Sequence, residues 1–150
     1  LTYNTNIAKI LIEHGVDITA TGSKGCTPLH LTAEYYNPDV MRLLLQKGAA
    51  TELADEDGWT PLDLCNAPLT AQILNDHGAD IDHIDKKGLT LLHRAVIYED
   101  VELFRTLLKN GASTQVRATS DGLTVLERIE DLATYRLRER FLAIAEDVVP

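Results

Sequence analysis

The densest ligand chemistry in the chain lies between His77 and Asp85, where His77, Asp80, Asp82, His83 and Asp85 bring together imidazole and carboxylate groups of the kind that hold zinc or a harder divalent cation. Neighbours in an extended segment alternate sides, so this run is expected to be a solvated acidic finger, with no metal. Gly22-Ser23-Lys24-Gly25 has the glycines and lysine of a phosphate cradle but lacks the Gly-Lys-Ser/Thr order and the four-residue spacer. Cys26 and Cys65 show no close-spaced ligand pattern and read as reduced thiols. No nucleophile elbow, paired-carboxylate arrangement or Cys/His pairing stands out, so neither catalysis nor a cofactor is expected from these residues.

The remaining histidines keep a register. His30 and His93, like His14 and His77, stand 63 residues apart, so equivalent positions carry them and a structural role follows. The register belongs to a phrase, Gly25-Cys26-Thr27-Pro28-Leu29-His30, which returns as Gly58-Trp59-Thr60-Pro61-Leu62-Asp63, Gly88-Leu89-Thr90-Leu91-Leu92-His93 and Gly122-Leu123-Thr124-Val125-Leu126-Glu127. Its glycines fall 33, 30 and 34 residues apart. Glycine suits a turn that needs positive φ, threonine caps the following helix, and proline fits the first helical position. A period of this size marks units that bury their apolar faces only by stacking.

The Thr-Pro-Leu-His phrase, the apolar helix after it and the endings Gly48-Ala49, Gly78-Ala79 and Gly111-Ala112 resemble ankyrin repeats. The resemblance covers nearly the whole chain and weakens where Val125 and Glu127 replace proline and histidine. It implies an all-α solenoid of stacked helix-turn-helix units with projecting hairpin-like fingers. Partial repeat 1–22, repeat 23–55, shortened repeat 56–85, repeat 86–119 and capping repeat 120–150 are the expected boundaries of a single array. By the same resemblance His30 and His93 bond to the backbone of adjacent fingers, whereas Asp63 puts that bond in doubt.

In chain order, Leu1 to Tyr3 read as the tail of one helix and Asn4 as the cap of another carrying Ile7, Ile10 and Leu11. Leu29, Leu31 and Ala33 mark a first helix of the next repeat, and Val40, Leu43 and Leu44 the core stripe of its second. The third repeat is three residues short between Thr60 and Pro68, close to one helical turn, so its first helix is expected to keep its face while losing reach, and the repeat to be the weakest. Leu103, Phe104, Leu107 and Leu108 mark the core of the fourth. Tyr135, Leu137, Phe141, Ile144 and Ala145 mark a last helix whose other side, Arg136, Arg138, Glu139 and Arg140, is solvated.

A formal charge of −9, from 23 acidic and 14 basic residues, disfavours nucleic acid and anionic membranes as partners. There is no apolar run near eighteen residues, so no membrane insertion is expected, and an intracellular setting, cytoplasmic or nuclear, is the plain reading. The expected function is protein–protein interaction through the concave surface and finger tips, with a spacer that positions another domain as the alternative. The resemblance transfers the contact surface to Glu34, Tyr35, Glu56, Asp57, Trp59, Lys86, Lys87, Leu89, Ile97 and Tyr98. Asp55, Glu56, Asp57, Asp80, Asp82 and Asp85 make two acidic fingers, which favours a basic or amphipathic protein partner.

Overall fold

The computed structural model describes residues 2–132 and 135–148. Eight α-helices occur among them: α1 (Thr2–Glu13), α2 (Pro28–Glu34), α3 (Pro38–Gln46), α4 (Pro68–Asp76), α5 (Leu91–Ile97), α6 (Val101–Lys109), α7 (Val125–Glu130) and α8 (Tyr135–Val148). The chain divides into two compact units, Leu1–Asp80 and Ile81–Pro150. In the first, α2 pairs with α3, and α1 and α4 both pack on α3. In the second, α5 pairs with α6, α7 lies on α5, and α8 covers α6 and α7.

The recurrent phrase performs the local chemistry expected of it. Thr27, Thr90 and Thr124 each open a helix through a reciprocal box in which the threonine side chain meets the backbone N–H three residues on, while His30, His93 or Glu127 reaches back to the threonine N–H. Replacing histidine by glutamate therefore keeps the cap in the last repeat. Asn37 and Asp100 cap α3 and α6 by accepting from Val40 N at 3.3 Å and Leu103 N at 2.9 Å. His14 and His77 share another local role, each Nδ1–H donating to a carbonyl four residues back, at 2.7 and 2.8 Å.

Three expectations change. The helix placed after Asn4 is one continuous α1 from Thr2, with Leu1 outside the described residues. Ile7, Ile10 and Leu11 are exposed on it, as is Leu31 on α2, and Leu43 is only half-buried, because burial in a stacked array depends on a neighbouring helix. The shortened repeat has no first helix: Asp63 N, Leu64 N and Cys65 N bond three residues back, to Thr60, Pro61 and Leu62 carbonyls, in successive turns. Pro68 holds Ala67 extended, leaving too few residues for a helical nucleus. The apolar face nevertheless survives, since Leu62 and Cys65 remain buried.

The fingers are closed by side chains. Asp55 Oδ1 accepts from Asp57 N and Trp59 N, both at 2.9 Å, and Asp85 Oδ1 accepts from Lys87 N and Leu89 N at 2.8 and 3.0 Å. Among the described residues the only β-bridge is Arg117 with Thr124. Successive fingers touch through backbone: Glu56 N donates to Lys24 O in the first unit and Thr119 N to Gly88 O in the second, at 2.9 and 2.8 Å. Gly88 has φ +78, and a Cβ there would sit 2.8 Å from Ser120 N, so the position needs glycine on both counts.

Tyr36 and Glu99, at equivalent turns between paired helices, adopt left-handed φ of 49° and 59°. The left-handed conformation costs a non-glycine residue roughly 1–2 kcal/mol, and glycine's extra unfolded-state freedom takes part of that back. Glu99→Gly, at an exposed site, is expected to stabilise the C-terminal unit by about 0.5–1 kcal/mol. An unchanged urea midpoint would show that the turn carries no strain.

Candidate functional site

A concavity of about 240 Å³ opens in the N-terminal unit, lined by Lys24, Cys26, Glu34, Asp55, Asp57, Trp59 and Leu64. Two finger tips, the end of α2 and the turn that replaces the missing helix supply these residues. His30 sets the position of Trp59. Its Nδ1 accepts from Thr27 N at 3.1 Å, which leaves the proton on Nε2 to donate to Trp59 O at 3.0 Å. Asp55 N donates to the same carbonyl at 2.9 Å, so the indole stands on backbone held from two directions.

The concavity is acidic. Asp55 is tied into its turn through Oδ1, and its Oδ2 accepts from the Cys26 thiol at 3.8 Å. Burial, then the negative charge and hydrogen bond of Asp55 and the charge of Glu34, push the thiol above its ordinary pKa, while Lys24 opposes them weakly. Cys26 is accordingly a protonated donor, the reverse of what a nucleophilic cysteine needs.

The contact residues expected from sequence fall into separate groups. In the N-terminal unit Glu34, Asp57 and Trp59 line this concavity together. Tyr35 faces a different one, an apolar groove of about 350 Å³ lined by Leu11, Val16, Leu31 and Val40 among others. Glu56 lies beside the Gly25 backbone, with its carboxylate exposed. In the C-terminal unit Lys86 and Lys87 occupy an exposed tip, Leu89 is half-buried below it, and Ile97 and Tyr98 are exposed at the end of α5, Tyr98 at 67%. Lys24, Cys26 and Leu64 were missed as site residues. The repeat register would have found two of them, since Cys26 and Lys24 stand 33 residues before Trp59 and Asp57.

The acidic fingers divide by role. Asp55 and Asp85 fold their own turns, and Asp82 Oδ1 accepts from Ser113 N at 2.9 Å, tying one finger to the next. Among the described residues no three His, Cys, Asp or Glu lie close enough to hold a metal ion. No described helix is long and apolar enough to cross a membrane.

His93 repeats the geometry of His30, with Nε2–H donating to Leu123 O at 3.2 Å. Burial lowers its pKa, assisted by Arg128, against the raising effects of the Leu123 carbonyl, Asp121 and Asp85. The folded state thus binds fewer protons than the unfolded one. Its contribution to stability is complete above the unfolded imidazole value of about 6.5 and declines as pH falls below it. Asp121 and Glu127 are also depressed, by the Leu123 and Thr124 N–H groups first, so their contributions are lost only at more acid pH, below the ordinary carboxyl range of about 4. The urea midpoint of the C-terminal unit should decline in two steps, and His93→Gln should remove the upper one alone. A profile flat between pH 7 and 5 would refute the imidazole's part.

Family models place this architecture among known ones. The model described as ankyrin repeats (3 copies) matches residues 2–85, and that described as ankyrin repeats (many copies) matches residues 68–108. Similar curated proteins include putative ankyrin repeat protein L371 of Acanthamoeba polyphaga mimivirus, 30% identical over 114 residues, which are 73% of this chain and 15% of that protein. Mouse neurogenic locus notch homolog protein 1 is 33% identical over 119 residues, 75% of this chain and 5% of that protein. Mouse protein phosphatase 1 regulatory subunit 27 is 38% identical over 64 residues, 43% of this chain and 42% of that protein. The chain therefore spans well under two thirds of each of these relatives.

Proposed function

The chain belongs to the ankyrin-repeat family, and from that premise we propose that it is a protein-interaction module whose N-terminal unit contacts a basic or amphipathic segment of an intracellular partner. Ankyrin repeats generally serve as protein–protein interaction modules. The observation that carries the reading here is the convergence of Glu34, Asp57 and Trp59 on one concavity, a tryptophan beside two exposed carboxylates. Aromatic anchors dominate interface energetics, and rim charges steer encounter. One relative is by name a regulatory subunit of a phosphatase, a role within a protein assembly. Lys86, Lys87, Leu89, Ile97 and Tyr98 form a separate proposed contact set on the C-terminal unit. The five-repeat partition, 1–22, 23–55, 56–85, 86–119 and 120–150, belongs to the same reading, as does the lack of a catalytic role or cofactor.

Proteins captured by the immobilised chain, then purified and tested singly, should include one that binds directly and more weakly as salt rises, because exposed charges are screened over about 8 Å at physiological ionic strength. Glu56→Lys, outside the lining of the concavity, should mainly slow association, and Trp59→Leu should mainly speed dissociation. Failure to find any direct partner would favour a spacer that positions another domain.

A further inference from the structure

We propose that the concavity of the N-terminal unit is a receptor for one arginine side chain of the partner, its guanidinium plane lying on the Trp59 indole and its donors shared between Glu34 and Asp57. This rests on the interaction-module reading and narrows it to the side chain recognised. Size comes first. At about 240 Å³ the concavity is smaller than the roughly 300–1,000 Å³ that encloses a drug-sized ligand, and suits a single long side chain.

Charge comes second. Three carboxylates and one ammonium line the space, which leaves it with a net negative charge. Asp55 is committed to its turn and to the thiol. The carboxylates of Glu34 and Asp57 are exposed and carry no hydrogen bond or ion pair among the described residues, so both are available to a ligand. An anionic ligand would meet repulsion here.

Geometry selects arginine over lysine. A guanidinium is planar, stacks on an aromatic face and offers donors in a fork that matches carboxylates, whereas an ammonium is a strongly hydrated point charge. Leu64 and the neutral thiol of Cys26 provide an apolar wall for the methylene stem. The equivalent positions in later repeats, Leu89 and Leu123, have no aromatic face, which makes Trp59 the distinguishing residue.

The test uses blocked tripeptides, acetyl-Gly-Arg-Gly-amide and its lysine and citrulline counterparts, titrated into the 150-residue chain. The indole N–H resonance of Trp59, the single tryptophan, is the readout. The arginine peptide is expected to give a saturable shift, with the lysine and uncharged citrulline peptides each at least about tenfold weaker. Glu34→Gln with Asp57→Asn, two exposed side chains, should weaken the arginine peptide at least about tenfold, while Glu102→Gln on α6 should leave it unchanged. A shift that does not saturate, equal binding of arginine and citrulline, or an undiminished double variant would overturn the receptor. If a purified partner binds the chain directly yet ignores the double variant, the receptor falls and the interaction module stands. If the arginine peptide saturates its site in a chain that binds no protein, the receptor stands and the module reading falls.

Discussion

Phe104→Ala is expected to lower the unfolding free energy of the C-terminal unit by about 3–5 kcal/mol, the range for deleting a buried aromatic ring. Phe104 is fully buried on α6, and its ring meets Phe141 of α8 edge to face, with centroids 4.8 Å apart and planes at 82°. Such a pair contributes roughly 0.5–1.5 kcal/mol beyond the area it buries, and truncation also leaves a cavity between two helices that cannot both collapse into it. Phe104→Leu, which restores most of the volume, should recover more than half of the loss. Urea unfolding gives the magnitude, and amide exchange gives the place, with α6 and α8 losing protection before α5. A change below about 0.5 kcal/mol, the usual scale of surface sites, would mean that α8 does not depend on this contact.

How well each element could be read from sequence depended on how local its cause was. Caps and turns were legible because the groups that satisfy them sit within four residues: Thr27 with His30, Asn37 with Val40 and Asp100 with Leu103 all follow from spacing alone. Exposure was less so. Ile10 and Leu11 have the composition of a core stripe, but their burial depends on a helix packed over them, and periodicity within one helix says nothing of its neighbours. The shortened repeat fell between these cases. Its deletion was visible, yet keeping the face with Leu62 and Cys65 did not require keeping the helix.

At the candidate site, register and chemistry pulled in different directions. Trp59 stood out by type, whereas Lys24 and Cys26 were hidden in a preceding repeat that becomes a neighbour only once fingers stack. The opposite error affected Asp55 and Asp85. Their charges suggested a partner, and their Oδ1 atoms turned out to fold the fingers, because an aspartate two residues before a free N–H satisfies it more cheaply than water can. Free acidity is therefore narrower than composition implied, and lies at residues such as Glu34, Glu56 and Asp57 that no turn employs.

The second large effect is expected at His30, and comparing two substitutions separates its two roles. His30→Leu removes the acceptor for Thr27 N and the donor to Trp59 O together, in a fully buried place. Orphaning the buried Thr27 N costs about 1–3 kcal/mol, and the bond lost at Trp59 O, which keeps the Asp55 N–H, about 0.5–1.5 kcal/mol more, so a loss of roughly 2–4 kcal/mol should follow, larger than for loss of a cap alone at about 1 kcal/mol. His30→Asp instead copies what repeat three already does, where Asp63 Oδ2 accepts from both Thr60 N and Thr60 Oγ1 at 2.8 Å. The cap should survive that change. The carboxylate has no proton to give Trp59 O, which keeps the Asp55 N–H and loses the imidazole, so about 0.5–1.5 kcal/mol should go with the inter-finger bond. The same variant should loosen Trp59, broadening its indole resonance and weakening whatever ligand the concavity holds, while α2 stays intact by amide exchange. If His30→Asp were as damaging to α2 as His30→Leu, the histidine would be a cap and nothing more, and the placement of Trp59 would have to come from elsewhere.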